Sequence, residues 1–383
     1  MYSYARQTNQ TGWTRVDNFT GSGTGSAYFG YSVSLSADGT TLAVGELGTN
    51  SVWIYTAAPV GSGAWAVQRK LAQTDAGFSG AVRFGSAVAL STSGDTLVVG
   101  AYFYSSKGAA VVFSRNETDV WSVQSPILSD GSTDSFFGII VSVNGAGNRM
   151  AVGARYDTVQ GTDNGAVYIY FRNETTLNWN YSQRVLPSDS VSVTSRRFGQ
   201  VLSLSSSGDT LVVGAPGEGA AGTDIGAWWH FEWNGTLFEQ IGLKKVGQPA
   251  INNANQGYSI ALSSGGDALI GLCLAALAMR LPVRHAYVLI SHVSALHCLF
   301  VWRIGSVGAR GEGSAYLWAR HVSGVTDWQQ ISKLNDTEVG KNNFGAAVAM
   351  SGREMEFAIG GQYKQQTVMV AVVRSSSGHA DGP

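Results

Sequence analysis

The residues best suited to chemistry in this chain lack the spacing of a catalytic site. Gly217-Glu-Gly219-Ala-Ala-Gly222 matches the glycine pattern of a dinucleotide loop. Such a loop must lead into a helix whose N-terminus receives the pyrophosphate. The next residues, TDIGAWWHF, read instead as a strand, so no cofactor is expected there. There is no P-loop, no HExxH pair and no G-x-S-x-G elbow. His230 and His321 lie on or beside strand-like runs and read as structural. Carboxylates are scattered one or two per loop, without a pair spaced for acid/base work. Cys273, His285, His292, His297 and Cys298 crowd into one stretch, but no CxxC spacing accompanies them, and a zinc site is not expected. Seven Asn-x-Ser/Thr sequons occur, at Asn9, Asn18, Asn116, Asn173, Asn180, Asn234 and Asn335. Asn suits turns in its own right. Three of the seven, Asn116, Asn173 and Asn234, fall at one place in a recurring pattern, which favours N-glycan attachment.

That pattern organises the chain. FGYSVSLSADGTTLAVG from Phe29 returns as FGSAVALSTSGDTLVVG from Phe84, FGIIVSVNGAGNRMAVG from Phe137 and FGQVLSLSSSGDTLVVG from Phe198. A fifth copy, GYSIALSSGGDALIG, begins at Gly257, and a sixth, FGAAVAMSGREMEFAIGG, at Phe344. From Gly30 to Gly85 is 55 residues, and the next intervals are 53, 61 and 58, ending at Gly257. A repeat of this length is one supersecondary unit that buries its apolar face on its neighbours. Within a unit, Val88 and Leu90 alternate with small residues, Ser-Gly-Asp makes a turn, and Leu97 to Val99 make a second strand. AAVVFSR is a third strand and Trp121-Ser-Val a fourth. The turns ADGT, SGDT, GAGN and SSGD carry the residues that hairpins require. The third strands, SVWIY, AAVVF, AVYIY, AWWHF and AYLW, are rich in aromatic and β-branched residues suited to a half-buried sheet. The fold class expected is all-β, a β-propeller of six four-stranded blades, with seven as the alternative. The N-terminal YSYARQTNQTGWTRV reads as the end of a blade and the last copy as the start of one, so the ring is expected to close by pairing N- and C-terminal strands.

The repeated phrase resembles the FG-GAP repeat, familiar from the N-terminal propeller of integrin α chains and from microbial surface proteins. Gly214-Ala215-Pro216 is the full Gly-Ala-Pro; other copies read Gly100-Ala101-Tyr102 and Gly153-Ala154-Arg155. The resemblance covers nearly the whole chain and implies a fold, not a task. It also implies calcium loops dense in carboxylates. Here the turn before the second strand holds one acid per copy, Asp38, Asp95, Asp209 or Asp267, and Asn148 in the third. The loops with Asp157 and Asp163, and with Glu218 and Asp224, are somewhat richer. The expectation is no cofactor and no metal, with calcium left open only through ligand-poor loops.

One stretch breaks the period. The interval from Gly257 to Gly345 is 88 residues, and removing 271–304 brings it to 54. Residues 1–383 are therefore read as one propeller domain, interrupted at 271–304 by an anomalous insert. Translated non-coding sequence, a membrane element and a metal site compete as its explanation. Ala286 to Trp302 is apolar but short for a span and contains His292 and His297, so membrane association stays open. Charged residues are only 13 %, and a net charge of −1 gives no basic stripe, so nucleic acid is not an expected partner. No signal peptide precedes the first strand-like segment, and a start in mid-blade suggests that the true beginning is missing. The functional expectation is a non-enzymatic extracellular or cell-surface adhesion propeller that binds a protein or glycan through rim loops. Its expected contacts are Tyr102, Phe103 and Tyr104, with Asp157, Asp163, Glu218 and Asp224. The alternative is a hydrolase, or the accessory propeller of an enzyme, with carboxylates converging at the central channel.

Overall fold

A computed structural model describes residues 2–6, 14–23, 27–57, 65–124, 126–129, 135–158, 163–190, 195–219, 224–248, 254–266, 268–273, 287–291, 300–301, 314–320, 327–335, 347–350, 356–360 and 373–374. The first five repeats each give four antiparallel strands in chain order, to which Phe300–Val301 adds in the first sheet and Ile127–Leu128 in the second. The third is Phe137–Val143, Arg149–Ala154, Ala166–Arg172 and Trp179–Val185. The fourth is Val201–Leu204, Thr210–Ala215, Ala227–Trp233 and Phe238–Gln240. Ala347–Met350, Glu356–Gly360 and Val373–Arg374 make a three-stranded sheet from the sixth. The protein is all-β, with four-stranded sheets arranged as propeller blades. Among the described residues, no helix is long and apolar enough to cross a membrane.

Local chemistry accounts for each blade. The hairpin joining strands one and two closes through a side chain: Ser36, Ser91 and Ser205 hydroxyls accept the backbone N–H of Thr41, Thr96 and Thr210 at 2.9, 3.1 and 3.0 Å. Asn144 does the same for Arg149 at 2.9 Å. The Phe of the repeated phrase is buried against its own third strand, with ring centroids 5.4 Å apart for Phe137 and Tyr168 and 5.5 Å for Phe198 and Trp229.

Two sets of contacts join the blades. Around the axis the hairpin tips bond in sequence: Ala37 N–H to Thr92, Thr92 to Gly145, Gly145 to Ser206 and Ser206 to Ser264, all at 2.8–3.0 Å. On the opposite face each inner strand begins with a tight turn, in which Tyr28, Arg83, Phe136 and Arg197 take positive φ just before the Phe. Parallel bridges Gly108–Phe137, Gly165–Phe198 and Gly226–Gln256 tie that turn to the preceding blade. The loops between strands two and three, and those leading into strand one, thus share one face.

The termini differ from the expected closure. Tyr2–Arg6 pairs with Thr14–Asn18, as an end hairpin should, but its other partner is Tyr287–Ser291, in parallel. Among the described residues it does not pair with the sixth repeat. A terminal strand has an open edge and takes whichever partner the chain brings to it. The anomalous segment also contributes to the fifth blade, whose second strand runs Ala268–Cys273. Gly271 stands opposite Ile260, as Gly214 stands opposite Val201. The sheet therefore takes in the first three residues of the segment read as an insert. Of its metal-ligand candidates, His285, His292, His297 and Cys298 lie outside the described residues.

Candidate functional site

The alternative reading of the sequence, a hydrolase, has carboxylates converging at the central channel. At the hairpin end it narrows to a cavity of about 60 Å³ lined by Ser34, Ala89, Ser142, Ser203, Ala261 and Ser263, with Leu and Val between them. No carboxylate lines it among the described residues. Ser34 and Ser142 hydroxyls are engaged with the Leu90 and Leu204 N–H of the next blade, at 2.9 and 3.2 Å. The period-2 alternation that makes an inner strand places these small residues toward the axis.

Acids gather instead on the opposite face. Glu218 lies just past the second strand of the fourth blade and is buried. Ser190 Oγ donates to Glu218 Oε2 at 2.7 Å, and Lys244 Nζ donates to Oε1 at 2.7 Å. Arg196 Nε lies 3.5 Å from Oε2. Burial pushes the Arg196 guanidinium below its ordinary range, and the Glu218 charge pushes back. Ser190 and Arg196 come from the loop entering the fourth blade, and Lys244 from the segment that follows that blade's last strand, Phe238–Gln240. Asp189 holds these pieces together: its carboxylate accepts from Trp229 Nε1 at 2.7 Å, Lys244 N–H at 2.7 Å and Gln240 Nε2 at 3.0 Å. Burial opposes the Asp189 charge, but these donors outweigh it and hold the carboxyl below its usual range. A hydroxyl, a buried carboxylate and an ammonium in direct contact can exchange a proton and stabilise a developing oxyanion.

The other residues singled out from sequence fall on this face with different surroundings. Asp157 occupies the position of Glu218 one blade earlier, is buried, and accepts the Tyr168 hydroxyl at 2.6 Å. Burial, with the Asp157 carboxylate behind it, pushes the Tyr168 hydroxyl far up. Asp163 and Asp224 take positive φ, and their carbonyls accept from Arg197 and Asn255 at 3.2 and 2.9 Å; both shape the loop. Tyr102 and Phe103 surround Phe136, with centroids 5.0 and 6.1 Å away, and Tyr156 completes the cluster at 4.9 Å. The Arg155 guanidinium lies 5.2 Å from the Phe136 ring and 4.5 Å from Tyr156. Tyr104 is turned away and stacks on Phe78 at 4.0 Å. Ser190, Arg196, Asp189 and Lys244 carried no motif. The signal available was length, since the interval of 61 residues between Gly138 and Gly199 contains the enlarged loop that brings three of them.

Among the described residues no group of three or more His, Cys, Asp or Glu assembles. Asp38 and Asp95 are engaged in their own turns, accepting from Ser36 and Thr40 and from Ser91 and Thr96. A calcium cage needs six to eight oxygens. Asp267 lies outside the described residues.

The FG-GAP repeat family model matches residues 121–170, from the last strand of the second blade through the third strand of the third. Residues 121–170 are thus an FG-GAP repeat by sequence. The match does not single out the integrin α chain. No curated protein sequence matches the chain. Its fold is similar to that of a 6-phosphogluconolactonase candidate of Bacteroides uniformis, at 12 % identity and TM-score 0.50, over 89 % of this chain and 82 % of that one. It also resembles the periplasmic gluconolactonase of Pseudomonas aeruginosa, at 11 % identity and TM-score 0.47, over 89 % and 83 %. The β-propeller domain of Cps50 (Swd1) of Myceliophteria thermophila aligns at 13 % identity and TM-score 0.41, over 86 % and 92 %. Of these three only the first reaches 0.50, and at 12 % identity it shows the fold alone. Even so, the non-enzymatic adhesion propeller expected from the sequence is overturned: the fold is shared with a lactonase candidate, so missing sequence motifs no longer argue against an enzyme.

Proposed function

We propose that this chain is a hydrolase-type propeller that works on its loop face and not in its channel. The observation that carries the reading is the contact of Ser190 and Lys244 with the buried Glu218. The reaction is ester or lactone cleavage. Ser190 Oγ forms a bond to the acyl carbon while Glu218 takes its proton. Lys244 faces the charge that develops on the carbonyl oxygen. The ester C–O bond then breaks and the departing alkoxide takes the proton from Glu218. Water releases the acyl group by the same steps. The name of the Bacteroides uniformis neighbour supplies the substrate class, a lactone of a sugar acid.

The loops that carry Tyr102, Phe103 and Asp157, and the turns at Asp163 and Asp224, share the face of Ser190 and are the surfaces offered to substrate. Six repeats support six blades, and a net charge of −1 supports a small-molecule substrate over nucleic acid.

The test is turnover of sugar lactones and aryl esters by the purified protein. Glu218→Gln and Ser190→Ala are expected to lower kcat by about 100-fold or more, with circular dichroism unchanged. Wild-type turnover equal to background, or full activity in both variants, would refute the assignment.

A further inference from the structure

The outer hairpins of the second, third and fourth blades repeat one arrangement at their tips. Asn116, Asn173 and Asn234 are exposed and open the turn between strands three and four. Each side-chain Oδ1 accepts backbone N–H groups of that turn: Thr118 and Val120 at 3.1 and 2.9 Å, Thr175 and Thr176 at 3.0 and 2.8 Å, Thr236 and Leu237 at 2.9 and 3.0 Å. The oxygen is thereby committed, while among the described residues Nδ2 of the three donates no hydrogen bond. At Asn116 the sequon Thr118 hydroxyl also donates to Oδ1, at 2.9 Å.

Each turn exposes one large apolar side chain as well: Val120 at 52 %, Leu177 at 49 % and Leu237 at 38 %. Scattered exposed apolar residues need no explanation. One at the same turn of three successive blades, three or four residues after a sequon asparagine, does. Apolar surface left in water is unfavourable in proportion to its area, and a pyranose ring offers an apolar face to cover it.

We propose that Asn116, Asn173 and Asn234 carry N-linked sugars whose first rings lie over Val120, Leu177 and Leu237. The bond forms between Nδ2 and the anomeric carbon of a diphosphate-activated sugar. The diphosphate leaves with the bonding electron pair, and Nδ2 gives up one proton. The remaining described sequons are different in kind. Asn18, Asn180 and Asn335 lie within strands, paired with Tyr2, Phe171 and Ser314, and are not carriers; Asn9 lies outside the described residues. These turns are at the opposite end of the blades from the Ser190–Glu218–Lys244 cluster, so sugars there leave that face open. The inference does not depend on hydrolysis. It places the chain on a secretory route.

The test is peptide mass spectrometry of the native protein before and after enzymatic glycan release in heavy-oxygen water. Isotope-marked deamidation at Asn116, Asn173 and Asn234, and not at Asn18 or Asn180, is the expected result. Unmodified asparagine at the three turns, or sugar only at the strand positions, would overturn it. A second readout concerns the cover. Glycan release should raise binding of an apolar dye, and the triple variant Val120→Ser, Leu177→Ser, Leu237→Ser should abolish the rise. If release leaves dye binding unchanged in the unsubstituted protein, the sugars do not cover these residues.

Discussion

Glu46 sits fully buried at the end of the first blade's second strand and accepts from Ser22 N–H and Oγ, Thr49 Oγ1, Ser51 Oγ and Trp53 Nε1 at 2.6–3.2 Å. Lys70 Nζ lies 3.6 Å away. Burial works against its charge, but these donors prevail and bring the carboxyl from 4.5 to about 2. Its stabilising contribution is present above the unfolded value and is lost as pH falls from 4.5 toward 2. Glu46→Gln turns an acceptor toward donors into a donor and is expected to cost about 2–4 kcal/mol at neutral pH, read as a lower denaturant midpoint. The third strand repeats the theme, with Tyr168 donating to Asp157 and Trp229 to Asp189. Acids that looked unordered in sequence are therefore acceptors for aromatic donors on third strands. Glu218 alone among those chosen from sequence is in contact with a hydroxyl and an ammonium. Ser190 and Lys244 lie 28 and 26 residues from it, and only the packing of two loops onto one strand end joins them.

At the scale of elements, the two glycines that frame each repeat turn out to face one another across blades. A Cβ on Gly153, at the end of a second strand, would fall on the carbonyl oxygen of Gly199, which opens the next inner strand. Gly45 meets Gly85, Gly100 meets Gly138 and Gly214 meets Gly257 in the same way. Gly199 also has φ +80, where a side chain is strained. Backbone cannot yield as a flexible side chain does, so Gly153→Ala should destabilise by about 3 kcal/mol or more. A thermal melt of that variant checks it, and an unchanged Tm would mean that the blades separate at little cost. Arg149 fastens the third and fourth blades farther out, with its guanidinium 4.7 Å from Phe171 and 4.5 Å from Trp233 and an ion pair to Asp209 at 2.9 Å. The periodic glycines were visible in sequence; their mutual contact was not, because it joins residues 38–46 positions apart in different sheets.

For the whole molecule, the junction of the fourth and fifth blades sets a pH dependence. His230 is buried beside Arg320, whose NH1 is 3.3 Å from Nε2, and edge-on to Trp328 at 5.7 Å. Glu232 Oε1 is 3.5 Å from Nε2, and Lys245 and Asp327 face each other across the same junction. Burial, aided by Arg320, lowers the imidazole from 6.5 to about 3. The unfolded chain thus binds a proton that the folded one refuses, and stability declines as pH falls from 6.5 toward 3. His230→Gln, which cannot titrate, should remove about 2–4 kcal/mol of that decline. Denaturant unfolding across the window measures it, and an identical slope in both proteins would place the pH dependence elsewhere.

The blade is legible in the linear chain. Alternating apolar residues from Phe137 to Val143, the turn at Asn144 and the aromatic third strand from Ala166 are local, and period and turn chemistry act over a few residues. The repeat then made a ring of such units the economical way to bury their faces. Which residues meet depends on how the blades pack. That packing lined the described hairpin end of the channel with serine and alanine, because alternation along the inner strands turns these residues toward the axis. It paired Tyr2–Arg6 with Tyr287–Ser291, because an open edge accepts what is near it. It brought Ser190, Glu218 and Lys244 into contact, because loops of adjacent blades share one face, and that adjacency has no counterpart in the linear order of the chain.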